Sequence, residues 1–311
     1  MKPFRGLFPP LITPFDEQLR VEERALRDHV DFMIGNGVDG MCAGSSTGEF
    51  MNLTREEWEQ VIHITRDQTA GRVPLLAGGA DMSTAATVER CRFAERMGFD
   101  GLLVISPWYQ VHTQRELYAH FKAIRDAVSI PIMIYNNPPV TGVQLSIDLL
   151  QRLANDGIVQ YLKDADSDPF NISRLKMRLG DKLHLFYGHD NNAIGAFAFG
   201  ATGWVSGSSN FDPLRWSNFI HACIDDNDYV RGREIWYQML PFVEKVTVGQ
   251  NGERADWIAV IKRGLEVRGH RVGSVRPPML PLTPELDSEV TRIVQAMTFE
   301  DAAVPAGRGR S

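Results

Sequence analysis

The sequence of 311 residues has little cysteine and no long apolar run. Cys42, Cys91 and Cys223 lie far apart, and none belongs to a CxxC pair, so a disulfide framework and a cysteine zinc site are both disfavoured. No stretch of about 18 apolar residues occurs, which argues against a membrane-spanning helix. Prolines interrupt the N-terminal segment where a signal core would need to be continuous. We therefore predict a cytoplasmic protein with reduced thiols.

An excess of positive charge is also lacking. The formal net charge is -6, and the chain has neither a basic stripe nor an RNA-reading aromatic motif, so a nucleic-acid partner is not expected. Apolar residues make up 43% of the chain and charged residues 23%, which is typical of a folded globular protein. The composition therefore fits none of the classes of disordered chains.

Short apolar runs rich in β-branched residues recur along the first two thirds of the chain. There are eight of them, at residues 7–13, 38–44, 73–79, 99–106, 131–137, 158–163, 183–188 and 202–207. Continuous apolar strands of this length are typical of a parallel sheet that is covered on both faces. The runs therefore predict eight buried parallel strands.

Helix start signals lie between these runs. Thr54 with Glu57, and Thr113 with Glu116, have the spacing of a capping box. The pairs Asp168–Pro169 and Asp212–Pro213 place an N-cap residue before a proline at the first helical position. Strands and helices therefore alternate, which predicts a (β/α)8 TIM barrel.

The predicted barrel accounts for only part of the chain. From about residue 227 the strand pattern ends and helical apolar stripes replace it. We predict a catalytic barrel over residues 1–226, a helical appendage over 227–300 and a disordered tail over 301–311.

Two strand ends carry unusual side chains. Lys163 closes the sixth apolar run and Tyr135 closes the fifth. Active sites of such barrels lie at the C-terminal ends of the strands, and neighbouring strands are about 4.8 Å apart, so the two side chains are expected to converge. A buried lysine favours the neutral amine, which can form a Schiff base with a ketone, and a tyrosine hydroxyl can move the required protons. A solvated strand end is the simpler alternative.

The loop "GSSTGEF", residues 44–50, follows the second run. Its glycines allow the backbone amides to turn inward as an anion nest, and Ser46 and Thr47 add hydroxyl groups. A carboxylate could therefore sit at this loop, and an ordinary turn before the helix at Thr54 is the simpler alternative.

Several motifs together resemble the dihydrodipicolinate synthase and N-acetylneuraminate lyase family. They are "GSSTGE", "SPWY", "YNNPPVTG", "LKD" and "GHD", in that order. The resemblance implies a pyruvate-dependent class I aldolase, a carbon-carbon or carbon-oxygen lyase that forms homodimers or homotetramers. It implies no metal and no cofactor beyond the imine between Lys163 and a 2-keto acid.

The resemblance also implies site residues. Lys163 would be the imine-forming amine and Tyr135 the proton relay. Ser46 would link Tyr135 to Tyr109, and the family donates this second tyrosine across a dimer interface into the site of the neighbouring subunit. The implied substrate-binding residues are Ser46, Thr47, Gly48, Val140, Gly188, Asp190, Asn191 and Val205.

Two of these positions depart from the patterns of the family. Val140 stands where the synthases carry the arginine that binds aspartate semialdehyde, and Asn191 replaces an acidic residue of the neuraminate lyases. The chain is therefore interpreted as acting on another 2-keto acid, such as a 2-keto-3-deoxy sugar acid, or on an aldehyde.

Other functions remain open at this stage. A genuine dihydrodipicolinate synthase and an N-acetylneuraminate lyase are the alternatives within the family. The GxSxG pattern around Ser46 is also found in serine hydrolases, although no oxyanion loop of the HGG type precedes it. A barrel that only binds a ligand is the third class, but it would not need both Lys163 and Tyr135.

Overall fold

The computed structural model describes residues 3–166, 168, 170–247 and 257–300. Each of the eight apolar runs overlaps a strand, although β1 shares only Leu7 with the first run. The strands are β1 Gly6–Leu7, β2 Met41–Ala43, β3 Leu75–Gly78, β4 Gly101–Ile105, β5 Ile132–Asn136, β6 Tyr161–Asp164, β7 His184–Tyr187 and β8 Gly203–Trp204.

Helices separate the strands and continue beyond them. Those of the first 226 residues are α1 Glu23–Gly35, α2 Arg55–Thr69, α3 Thr84–Arg96, α4 Gln114–Ala127, α5 Pro138–Thr141, α6 Ile147–Asn155, α7 Phe170–Leu179, α8 Ala193–Ala198 and α9 Pro213–Ile224. The later ones are α10 Tyr229–Thr247, α11 Trp257–Val267 and α12 Pro284–Ala296.

All eight strands are parallel and form one sheet in the order β1-β8-β7-β6-β5-β4-β3-β2. Backbone hydrogen bonds complete the ring between the segment after β1 and β2. The Cys42 N–H donates to Pro9 O at 2.9 Å, and the Leu11 N–H donates to Cys42 O at 2.8 Å. The predicted (β/α)8 TIM barrel is thereby confirmed.

Aromatic rings fill the interior of the barrel below the C-terminal strand ends. The Phe8 and Phe186 rings meet edge to face at 5.5 Å, and Tyr161 lies 6.1 Å from Phe186. Gly40 and Gly203 make room for these rings, because a Cβ atom at either position would lie 2.2 Å from a ring carbon. The space for a ligand is therefore at the C-terminal end of the barrel.

The helix start signals are largely confirmed. Thr54 and Thr113 both form complete capping boxes with Glu57 and Glu116. Asp212 is the N-cap residue of α9 and Pro213 begins the helix, as predicted, while the Asp212 carboxylate lies 3.0 Å from Arg215 Nε.

The other predicted helix start, at Asp168–Pro169 before α7, lies only partly within the described residues. The Phe170 N–H donates to Asp168 Oδ1 at 2.9 Å at the beginning of α7, and Pro169 lies outside the described residues.

Helices α10 to α12 share the hydrophobic core of the barrel. The rings of Phe211 and Phe242 stack at 3.9 Å, and Trp236 on α10 lies 5.5 Å from Phe219 on α9. The boundary at residue 227 stays a prediction, and the predicted tail, 301–311, lies outside the described residues. Within the described ranges, no helix has the length and apolar character to cross a membrane.

Candidate active site

Lys163 and Tyr135 converge at the C-terminal end of the barrel, as the sequence predicted. Their Cα atoms are partners in the pairing of β5 with β6. Lys163 Nζ lies 3.9 Å from the centroid of the Tyr135 ring, and Lys163 is only 6% exposed. The simpler alternative of a solvated lysine is therefore excluded.

Asn136 and Asp164, the next residues on β5 and β6, point to the opposite face of the sheet. Asn136 Nδ2 donates to Asp164 Oδ1 at 2.7 Å, and Asn171 Nδ2 donates to Asp164 Oδ2 at 2.9 Å. Burial raises the pKa of this carboxyl group, and the two amides oppose that rise. Because strand side chains alternate, the carboxylate lies on the opposite face from the Lys163 amine.

A cavity opens beside these two side chains. Most of the remaining lining comes from the loop after β2 and from the ends of β3 and β4. These residues are Gly44, Ser45, Ser46, Thr47, Phe50, Gly78, Ala80, Leu103 and Ile105. The apolar strand ends and the hydroxyl-rich loop together suit a small ligand with one anionic group.

The loop after β2 is held tightly against its surroundings. Gly44 has φ +62°, and a Cβ atom there would lie 2.6 Å from Trp58 Nε1, whose N–H donates to Gly44 O at 3.1 Å. Ser46–Gly48 then form one turn of 3-10 helix, and Glu49 follows with φ 57°. The positions of Ser46 and Thr47 are thus set by the backbone of a constrained turn.

Gly188 packs directly on the stem of the lysine. A Cβ atom at this position would lie 2.8 Å from both Lys163 Cγ and Cε, and the Gly188 N–H donates to Asp164 O at 2.8 Å. A glycine is therefore needed where the segment after β7 passes Lys163.

The Tyr135 hydroxyl has a partner that the sequence analysis missed. Asn137 Nδ2 donates to Tyr135 Oη at 2.9 Å. The predicted link through Ser46 to Tyr109 is not formed within one chain, because Tyr109 is 94% exposed and is not among the residues that line the cavity. Tyr109 also has φ +81°, an unusual value for a tyrosine.

Asp190 and Asn191 make contacts within the protein. Ser206 Oγ donates to Asp190 Oδ1 at 2.6 Å, and the Ser208 N–H donates to Asp190 Oδ2 at 3.0 Å. Tyr187 Oη donates to Asn191 Oδ1 at 2.8 Å. The carboxylate of Asp190 thus joins the segment after β7 to the segment after β8.

The remaining predicted binding residues, Gly48, Val140 and Val205, are not among those that line the cavity. The Val205 N–H donates to Tyr187 O at 2.9 Å, and Gly48 O accepts from Thr13 Oγ1 at 2.7 Å. Val140, on α5, is 51% exposed.

Sequence reasoning missed Ser45, Ala80, Leu103 and Ile105 as lining residues. Ile105 pairs with Tyr135 in the register of β4 and β5. The rule that active-site residues lie at the C-terminal strand ends therefore indicates Ile105 as well as Tyr135. Ile105 is apolar, however, so its residue type carries no indication of chemistry.

The competing nucleophiles are poorly suited. Burial raises the pKa of the Cys42 thiol to about 12, so it stays protonated at neutral pH. Ser46 has no histidine among the residues that line its cavity, as a serine hydrolase would require. Lys163 is the nucleophile that the geometry favours.

Comparisons with known proteins agree with this site. Residues 3–297 match the dihydrodipicolinate synthetase family. The 4-hydroxy-tetrahydrodipicolinate synthase of Thermomicrobium roseum is 34% identical over 280 residues, which cover 90% of each chain.

Two solved structures show the same similarity. The dihydrodipicolinate synthase from Aquifex aeolicus is 31% identical with a TM-score of 0.87, over 94% of this chain and 97% of the other. YagE, a prophage protein of the dihydrodipicolinic acid synthase family from E. coli K12, was solved in complex with pyruvate. It is 26% identical with a TM-score of 0.87, and the match covers 94% of this chain and 98% of YagE. The present chain therefore belongs to the dihydrodipicolinate synthetase family and is a lyase.

Proposed function

We propose that Lys163 forms an imine with the carbonyl carbon of pyruvate or a related 2-keto acid. The observation that carries this proposal is the buried amine beside the Tyr135 ring, in a cavity bordered by the loop of Ser46 and Thr47. The neutral amine attacks the ketone, a carbinolamine forms, and water leaves while Tyr135 moves the protons. The crystallised complex of YagE with pyruvate supports the choice of ligand.

The carboxylate of the keto acid would lie on the loop after β2. Ser46 and Thr47 offer hydroxyl groups there, and the turn of Ser46–Gly48 offers backbone amides. Gly188 and the backbone of Val205 would form the opposite wall. Neither a metal nor a separate cofactor has a role in this mechanism, because the imine itself withdraws electrons from the bond that forms or breaks.

Reductive trapping tests the imine. Borohydride with pyruvate is expected to add one reduced pyruvate adduct to Lys163, which intact mass and peptide mapping would locate. Lys163→Ala should give no adduct and no turnover, whereas Lys122→Ala, on the exposed face of α4, should behave as the wild type. An unmodified wild-type protein under these conditions would refute the mechanism.

The class of the second substrate is inferred from the residue type at position 140. The Val140 side chain is aliphatic and cannot pair with the carboxylate of aspartate semialdehyde. We infer that the partner substrate is a 2-keto-3-deoxy sugar acid, cleaved or dehydrated through the imine, or an aldehyde that condenses with pyruvate. Asp190 and Asn191 are proposed to shape the part of the site that holds its hydroxyl groups.

A genuine 4-hydroxy-tetrahydrodipicolinate synthase is the second candidate, because curated relatives that are 34% identical carry that name. A substrate panel separates the two. We expect turnover of a keto-deoxy sugar acid to exceed that of pyruvate with aspartate semialdehyde. Val140→Arg should raise the latter kcat/KM by about one to two decades, and Val230→Arg on α10 should not. Efficient wild-type turnover of aspartate semialdehyde would favour the second candidate.

We also propose that the protein works as a homodimer or homotetramer in the cytoplasm. The exposed ring of Tyr109 supports assembly, since a second subunit could receive it. The three buried free cysteines support a reducing compartment.

A further inference from the structure

Glu49 is a buried carboxylate at the end of the loop that borders the cavity. Its side chain is 0% exposed, and its backbone has φ 57° and ψ 32°. The Glu49 N–H donates to Ser46 O at 3.0 Å, and the Asn52 N–H donates to Glu49 O at 2.8 Å. A displacement of Glu49 would therefore also displace the turn of Ser46 and Thr47.

Two distant parts of the chain hold this carboxylate. Lys262 Nζ, from α11, lies 2.7 Å from Glu49 Oε1, and the Lys262 side chain is 2% exposed. The Arg276 N–H, after α11, donates to Glu49 Oε2 at 2.9 Å. Both oxygens of the carboxylate thus meet donors from the C-terminal helical region.

The partners of Glu49 are themselves held in place. Lys262 Nζ donates to Ser274 O at 2.8 Å and lies 4.2 Å from the centroid of the Phe15 ring. The Arg276 guanidinium donates to both carboxylate oxygens of Glu57 on α2, at 2.6 and 2.7 Å. The segment that includes the loop after β2 and the start of α2 is consequently attached to the C-terminal region at two points.

We propose that Glu49 and Lys262 are positioning residues for the subsite that binds the substrate carboxylate. This inference rests on the proposed function, because it assigns the loop of Ser46 and Thr47 to that carboxylate. A buried ion pair resists small displacements, since any separation leaves a charge unpaired away from water. The helical region beyond the barrel would thereby hold the binding loop in the shape that receives an anion.

Two variants separate positioning from stability. Lys262→Met keeps the unbranched stem of the side chain, one atom shorter, but leaves the Glu49 carboxylate buried without a cation, so it should lower Tm. The double variant Glu49→Gln, Lys262→Met removes both charges and should recover most of the lost Tm. It still lacks the ion pair that attaches the loop to α11. Lys245→Met is the matched control, because it breaks the ion pair of Lys245 with Glu289 between α10 and α12, at 2.8 Å.

Borohydride trapping with pyruvate gives the first readout. In both Lys262 variants we expect the half-saturating pyruvate concentration to rise about tenfold, with a maximum trapping rate within about threefold of the wild type. Lys245→Met should change neither value. A double variant that regains both the wild-type Tm and the wild-type half-saturation would show that the pair only stabilises the fold, and would overturn the proposal.

Amide hydrogen exchange of the peptide that spans residues 44–52 gives the second readout, and it does not depend on catalysis. Faster exchange in the double variant, but not in Lys245→Met, supports the proposal, and unchanged exchange overturns it. Absence of any adduct in the wild type would instead refute the imine mechanism, while the exchange result would still decide whether the pair positions the loop.

Discussion

A single amide determines how the Tyr135 hydroxyl can act. Because Asn137 Nδ2 donates to Tyr135 Oη, the proton of the phenol is available for another acceptor on the cavity side. The same donor stabilises negative charge on the phenol oxygen when that proton is transferred to the reacting carbinolamine. Asn137 is thus placed to favour the proton relay that imine formation requires.

Substitutions at residue 137 test this role. Asn137→Ala should lower the rate of borohydride trapping with pyruvate about threefold to tenfold, which corresponds to the loss of one hydrogen bond. Asn137→Asp should lower it further near neutral pH, because a carboxylate accepts hydrogen bonds and repels a phenolate. Asn155→Ala, on the surface of α6, is the control. An Asn137→Asp variant as fast as the wild type would mean that Tyr135 donates to residue 137.

At the scale of the element, the end of β7 sets the position of the lysine. The backbone at Gly188 lies so close to the Lys163 stem that it leaves no room for a methyl group. The register of β6 with β7 fixes this approach, since Lys163 and Phe186 are Cα partners two residues before Gly188. The strand therefore orients the amine as well as carrying the barrel wall.

Gly188→Ala is expected to displace the Lys163 amine and to lower the trapping rate about a hundredfold, the cost of a misplacement of about 1 Å. Gly35→Ala is the matched control, because no atom lies within 4 Å of a Cβ there and alanine is favoured in the helix. Rates and Tm of both variants should be measured together. A wild-type trapping rate in Gly188→Ala would contradict this prediction, because it would show that the Lys163 stem can move without a loss of reactivity.

For the whole molecule, the environment of Tyr109 supports the proposal that a second copy of the chain completes the enzyme. A bulky residue with φ +81° is strained, and such strain persists when other contacts determine the conformation. An exposed ring on a single chain does not provide those contacts. A second copy that packs on Tyr109 would supply them and would receive its hydroxyl group.

We predict that light scattering will show a dimer or tetramer, and that specific activity will fall on dilution below the dissociation constant. Tyr109→Ala should reduce turnover at least about tenfold and weaken assembly, because it removes both an interface ring and a hydroxyl group. Tyr237→Ala, at an exposed position on α10, should do neither. A fully active monomer would contradict this prediction.

The barrel and the pair of Lys163 and Tyr135 at its C-terminal end could be predicted from the order of residues alone. Eight apolar runs separated by amphipathic helices indicate a closed parallel sheet, and the rule that sites lie at strand ends brought Lys163 to Tyr135 without coordinates. Both inferences succeed because they depend on local periodicity and on neighbouring strands.

The contacts that orient the site became visible only in the folded chain. The amide of Asn137 at the Tyr135 hydroxyl depends on the path of the chain after β5, which the residue types alone do not specify. The passage of Gly188 beside Lys163 depends on the register of two strands. The contact of Glu49 with Arg276 joins positions 227 residues apart. Such contacts follow from the packing of the complete core, so no pattern within a short stretch of sequence predicts them.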